Sequence, residues 1–163
     1  MTIMDTSTLI LLAKTNLLRL VLERGPISVP PAVIDEILAK PEQDDTRMIL
    51  ELVKVGEVAR DQSPDPAVVS RLSGDFRIGK GEAEALALAS EKGAALATDD
   101  RRAMAAARAL GVPFSTSLSF LVQAARENRL SRDRALAKLD ELSRLGRYSA
   151  AILEGARRMI EGG

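Results

Sequence analysis

Residues 94–115, AALATDDRRAMAAARALGVPFS, decide how the chain is read. An apolar run, AALAT, reads as a strand that stops at Asp99. RRAMAAARALG follows as an alanine-rich helix closed by Gly111, and VPFS is again strand-like. A strand, a helix of about ten residues and another strand form the repeating unit of an α/β fold with a mainly parallel sheet. Upstream, GEAEALALASEKG (81–93) reads as a helix closed by Gly93. Three further short runs read as strands: TIMD at 2–5, ISVP at 27–30 and EVAR at 57–60. Sheets of this kind bind ligands outside the carboxyl ends of their strands, and Asp5 and Asp99 both fall at such ends.

Helical spacing fills the intervals. Thr6-Ser7 can cap a helix carrying Leu9, Ile10, Leu12 and Ala13, and Asn16 can cap a second, NLLRLVLE, stopped by Gly25-Pro26. Pro30 and Pro31 pre-set a helix whose apolar face is Val33, Ile34, Ile37 and Leu38, with Pro41 as its stop. Residues 45–55 show helical spacing, QSPDP leads into a helix through about Leu72, and GDFRIGKG reads as a loop. From Ser117 onward only helices are expected.

Composition narrows the chemistry. The 163 residues include no histidine, cysteine or tryptophan, which removes His/Cys zinc sites, thiolate and imidazole nucleophiles and disulfides. Carboxylates must carry any catalysis, and the economical way for several to share a site is a hard divalent cation such as Mg²⁺ or Mn²⁺. The 46% apolar fraction suits an ordered core. The first twenty residues lack a basic leader, and no run approaches the roughly 18 apolar residues of a membrane span. A soluble cytoplasmic protein is expected, with no membrane partner. Twenty-three basic side chains balance 23 acidic ones, so bulk charge says nothing of nucleic acid. Arginines gather toward the C-terminus, however, and with only 2% aromatic residues base stacking cannot dominate recognition.

Four acids stand out. Asp5 ends a strand beside Thr6 and Ser7, which could cap the next helix in its place. Glu36 lies at the edge of the Val33, Ile34 and Ile37 stripe, while Asp35 suits a dipole role. Glu82 shares a helical face with Leu86 and Ala89, and Glu84 does not. Of the pair after the 94–98 strand, Asp100 is the natural N-cap, leaving Asp99 free beside Thr98. Such acids repel one another unless a cation neutralises them.

In order along the chain, MDTSTLI, VPPAVIDEIL, GKGEAEALALASEKGAALATDD and RALGVPFSTSLSFLVQA resemble the PIN-domain ribonucleases, in particular the compact single-domain prokaryotic branch that includes VapC-type toxins. The resemblance implies a three-layer α/β/α sandwich around a mainly parallel sheet over residues 1–125, with a C-terminal helical extension over 126–163 packed on it or on a partner. It implies Mg²⁺- or Mn²⁺-dependent hydrolysis of RNA phosphodiester bonds. Asp5, Glu36, Glu82 and Asp99 match the four acidic positions as catalytic residues and metal ligands, and Ser7 and Asp100 would support them. The third position is often aspartate, so Glu82 is a departure. Lys80, Arg101 and Arg102 are candidates to grip the RNA backbone. A homodimer and a small antitoxin partner are expected on the same grounds, and the stripe Tyr148, Ile152, Ala156 and Met159 offers an apolar surface for association. A phosphatase-like site would want Asp-x-Asp where Asp5-Thr6-Ser7 stands, and a receiver would want a lysine near Val112–Ser115, which is absent. The competing expectation is a PIN-fold protein- or RNA-binding module that no longer turns over.

Overall fold

The computed structural model describes residues 1–40 and 42–162, so the helix stop expected at Pro41 lies outside the described residues. Five short strands form one parallel sheet: β1 (Thr2–Met4), β2 (Ile27–Val29), β3 (Val58–Arg60), β4 (Ala95–Ala97) and β5 (Phe114–Ser115). Their order is β3-β2-β1-β4-β5, with Thr2 beside Ile27 on one side and beside Ala95 on the other. The chain winds outward from β1 through β2 to β3, then returns to lay β4 on the opposite side of β1. This is the expected α/β arrangement, with ten helices around the sheet among the described residues.

Successive strand residues face opposite sides of the sheet, and the sequence uses both. Met4, Ile27, Val29, Val58 and Ala97 point into one apolar layer. That layer is covered by α1 (Thr6–Lys14), α2 (Leu18–Arg24), α3 (Pro31–Leu38), α4 (Asp44–Lys54) and α8 (Ser117–Arg126). Ile3 and Leu96 point the other way, under α5 (Pro66–Phe76), α6 (Lys80–Lys92) and α7 (Arg101–Leu110). Alanine dominates this second layer: Ala83, Ala85, Ala87, Ala89, Ala103, Ala106 and Ala107 are all buried. Small side chains let α6 and α7 approach the sheet closely, so α6 is buried almost all round instead of along one stripe.

The last helices, α9 (Arg132–Leu145) and α10 (Ala150–Gly162), contribute Ala135, Leu139, Leu142, Ala156 and Ile160 to the first layer, in the same cluster as Met4 and Val29. Several local expectations shift. Helix α5 runs on through Gly74-Asp75-Phe76 and stops at Arg77, which adopts the left-handed conformation, so the expected loop shrinks to Arg77–Gly79. Asn16 also sits in the left-handed region, in the turn after α1, and donates no cap to α2. Leu38 is 51% exposed although its spacing placed it on the buried face of α3. Helix α10 starts at Ala150, which leaves Tyr148 in the connection before it.

Because α9 is part of the central core, Leu139→Ala should destabilise the whole protein by about 2–4 kcal/mol, the usual cost of such a cavity. Denaturant unfolding should still show one transition by all probes. Loss of the C-terminal helices at lower denaturant, with the sheet intact, would contradict this packing.

Candidate active site

Parallel pairing puts the carboxyl ends of all five strands at one edge. The turning point of the topology lies between β1 and β4, where loops leave in opposite directions and open a crevice. Asp5 follows β1, Thr98-Asp99-Asp100 follow β4, and Thr116-Ser117 follow β5. Asp5 has no solvent exposure. It is itself the N-cap of α1, where Thr6-Ser7 were expected to serve: its Oδ1 accepts from the Thr8 N–H at 3.0 Å. The Thr98 hydroxyl donates to its Oδ2 at 2.5 Å, and Ser7 lies beside Oδ1 at 3.4 Å.

Asp99 is not free at its strand end. Its Oδ2 accepts from the hydroxyls of Thr8, at 2.9 Å, and Ser117, at 2.6 Å. Its Oδ1 accepts from the Ser117 N–H at 3.0 Å and the Tyr148 hydroxyl at 2.6 Å. Asp100 caps α7, as its position suggested, through Oδ1 and the Ala103 N–H at 2.8 Å. Its other oxygen has no hydrogen-bond donor among the described residues.

Two glutamates tie α3 to α6 reciprocally. Glu36, on α3, accepts from the Gly81 N–H in the first turn of α6 at 3.1 Å and from the Thr6 hydroxyl. A Cβ at position 81 would stand 2.6 Å from Glu36 Oε1, so a larger residue there would push the Glu36 carboxylate aside. Glu84, on α6, returns the contact by accepting from the Ala32 N–H in the first turn of α3 at 2.8 Å. Helix phase separated Glu82 from Glu84 for an inadequate reason, since Glu84 is the more buried of the two. What sets them apart is that Glu84 is committed to the α3 terminus. Glu82 accepts from the Gly79 N–H at 2.6 Å and faces the crevice.

The electrostatics follow from burial without counter-charge. None of Asp5, Glu36, Glu82, Asp99 or Asp100 is ion-paired among the described residues. Burial pushes the Asp5 carboxyl from the ordinary 3.8 up to about 7, against the lowering effect of hydrogen bonds from Thr98 and Thr8, with the Glu82 charge adding to the rise. Glu82 is raised as well, by burial first and then by the charges of Asp100 and Glu36, with the Gly79 N–H opposing. Tyr148 is pushed far above the ordinary phenol range by burial and by the neighbouring Asp99 charge, so its hydroxyl stays a donor.

The donor set is all oxygen and carries excess negative charge, which fits a hard divalent cation. Among the described residues, no three acidic side chains surround one point closely enough to hold an ion as they stand. Beside the acids lies a cavity of about 600 Å³ lined by Glu82, Asp99, Asp100, Arg77, Arg101, Arg102 and Arg147. Arg101 and Arg102 thus reach the crevice, whereas Lys80 lines a neighbouring groove with Ser73 and Glu84. The sequence reading missed Thr8, Thr98, Ser117 and Tyr148, hydroxyl residues with no spacing signal, and it placed Tyr148 on an apolar stripe.

The family model of DUF3368, a PIN domain, matches residues 1–160, almost the full chain. The chain belongs to this PIN-domain family. Its match runs through α9 and α10, the helices that carry core residues and Tyr148 to the domain. The crystal structure of PAE2754 from Pyrobaculum aerophilum is similar to this PIN domain at a TM-score of 0.56 and 19% identity, over 77% of this chain and 89% of that one. At that identity the likeness is one of fold. No curated protein matches the sequence.

The raised Asp5 carboxyl fixes a sign for stability. The folded state holds a proton that the unfolded state releases near 3.8, so the associated stability is complete below that pH and lost as pH rises through about 7. In chelator, unfolding free energy should fall by about 2 kcal/mol between roughly pH 5.5 and 8. Asp5→Asn should flatten that slope. An unchanged slope in the variant would show that Asp5 titrates normally.

Proposed function

We propose that this PIN domain is a divalent-metal-dependent ribonuclease that hydrolyses RNA phosphodiester bonds. The observation that carries the reading is a set of acids at the β1–β4 crevice that form no ion pair among the described residues, one of them buried completely. A cation bound among these acids would offset the repulsion between them near neutral pH. PIN domains are generally nucleases, and the family membership supports the same conclusion.

Asp5, Glu36, Glu82 and Asp99 would hold Mg²⁺ or Mn²⁺, and Asp100, with its unengaged oxygen, joins them. A cation bound there would lower the pKa of an attacking water and offset charge on the phosphate. The chain's own contribution is orientation. The Thr8 N–H and Thr98 hydroxyl fix the two oxygens of Asp5, and Thr8, Ser117 and Tyr148 fix those of Asp99. Main-chain N–H groups of Gly81 and Gly79 restrain Glu36 and Glu82. Water adds to phosphorus, an ester P–O bond breaks, and the departing oxygen takes up a proton. Arg101 and Arg102 on the cavity wall would hold the RNA backbone, with Lys80 meeting it farther along.

As a toxin, the protein would require a small antitoxin encoded beside it. Self-association into a homodimer would use the groove between α8 and α10, where Ile152 and Met159 are each 52% exposed. One observation favours the alternative of an inactive binding module: each acid is already engaged by a protein donor, and the described side chains do not gather three acids into one ligand set.

Cleavage of single-stranded RNA in Mn²⁺ separates the two. Asp5→Asn and Asp99→Asn should each lower the rate by about 100-fold or more while circular dichroism stays unchanged. Mn²⁺ should raise the melting temperature of the wild type and not that of Asp5→Asn. Cleavage persisting in both variants, or an inert wild type across several RNAs and metals, would remove the nuclease reading.

A further inference from the structure

The connection from α9 to α10 reaches back to the acids although nothing in its sequence announces a site. Tyr148 donates to Asp99 Oδ1 at 2.6 Å, and it is the donor to this carboxylate that comes from beyond α8. Arg147, its neighbour, is exposed and lines both cavities that border the acids: one with Glu82, Asp99, Asp100, Arg101 and Arg102, the other with Ser7, Lys14 and Lys40 alongside the same three acids. Arg147 forms no ion pair among the described residues, although Glu82, Asp99 and Asp100 line the same cavity. Gly146 completes the segment. A Cβ there would stand 2.5 Å from Tyr148 Cε2 and 3.1 Å from the Leu142 carbonyl oxygen, so the tyrosine ring packs directly over glycine backbone.

We propose that Gly146-Arg147-Tyr148 is a substrate-binding strap, in which Arg147 holds a phosphate of the RNA strand beside the acids and Tyr148, tied to Asp99, positions Arg147. A guanidinium suits the role because its planar fork matches two phosphate oxygens and cannot lose its charge. The anchor matters because a long side chain on an exposed connection gives up conformational entropy on binding, and a fixed backbone reduces that loss. Arg101 and Arg102 rise from α7, on the β4 side of the crevice. Arg147 enters on a different element, so a strand in the crevice would be gripped from two directions. The proposal rests on the nucleic-acid reading of the crevice but not on turnover.

The test is binding of a fluorescent single-stranded RNA to the full chain in EDTA at low salt, followed by anisotropy. Arg147→Ala should weaken binding about tenfold and reduce the slope of log affinity against log salt by about 0.7, one phosphate contact on a single strand. Tyr148→Phe, which keeps the ring and removes the donor, should weaken binding about threefold through loss of the anchor. In Arg147→Ala, adding Tyr148→Phe should cost nothing further, a coupling that a purely structural role for the tyrosine would not produce. Arg147→Lys should recover part of the affinity by keeping the charge. An Arg147→Ala variant with wild-type affinity and salt slope, a fully additive double variant, or a wild type that binds no RNA would each overturn the strap. The nuclease reading fails independently: a wild type that binds through Arg147 but cleaves nothing keeps the strap and loses the enzyme.

Discussion

Asp5 is a carboxyl group without solvent contact, set at the end of the central strand and among other acids. Much around it answers that constraint. A buried acid with no counter-ion must keep its proton, gather hydrogen-bond donors or recruit a cation. The chain supplies donors from every direction it can. The Thr8 N–H comes from the helix that Asp5 caps and the Thr98 hydroxyl from the neighbouring strand. Even so, the carboxyl remains well above its ordinary range. A fold that only needed a helix cap could have used serine or asparagine there at far lower electrostatic cost. Capping alone therefore does not account for an acid at this position.

The second organising contact is the exchange of caps between α3 and α6. Each helix offers first-turn N–H groups to a glutamate from the other: Gly81 to Glu36, and Ala32 to Glu84. Helix N-termini carry partial positive charge, so these contacts partly neutralise two acids without spending a lysine or arginine. They also lock the helix that carries Glu36 to the helix that carries Glu82. A side chain at position 81 would displace the Glu36 carboxylate, which links one backbone position to the placement of a site residue.

Much of the fold was legible because short buried strands and helices repeat in a simple alternation. Runs such as TIMD and AALATDD end in acids, and parallel pairing then puts those ends together. Alanine-rich α6 misled the phase argument, since a helix buried nearly all round has no informative face. That is why Glu84 was set aside by phase although it proves more buried than Glu82. Asn16 and Arg77 were missed for a different reason: left-handed residues outside glycine carry no reliable local mark. Tyr148 shows the same limit at longer range. Its spacing to Ile152 suggested a helical stripe, but its hydroxyl goes to a residue 49 positions earlier.

The sequence by itself determined which reactive side chains the chain has to offer and where along it they fall. It has no histidine or cysteine, and strand-ending patterns put the carboxylates Asp5 and Asp99 at one edge. Residue type and local periodicity are properties of short segments, so they survive without coordinates. Only the tertiary structure decided which acids are spoken for and which face the crevice. It gave Glu84 to the α3 terminus, surrounded Asp99 with four donors, left an oxygen of Asp100 without a donor among the described residues, and brought Tyr148 and Arg147 to the site on the connection between the last two helices. Those outcomes depend on distances between segments remote in the chain, and no local pattern encodes them.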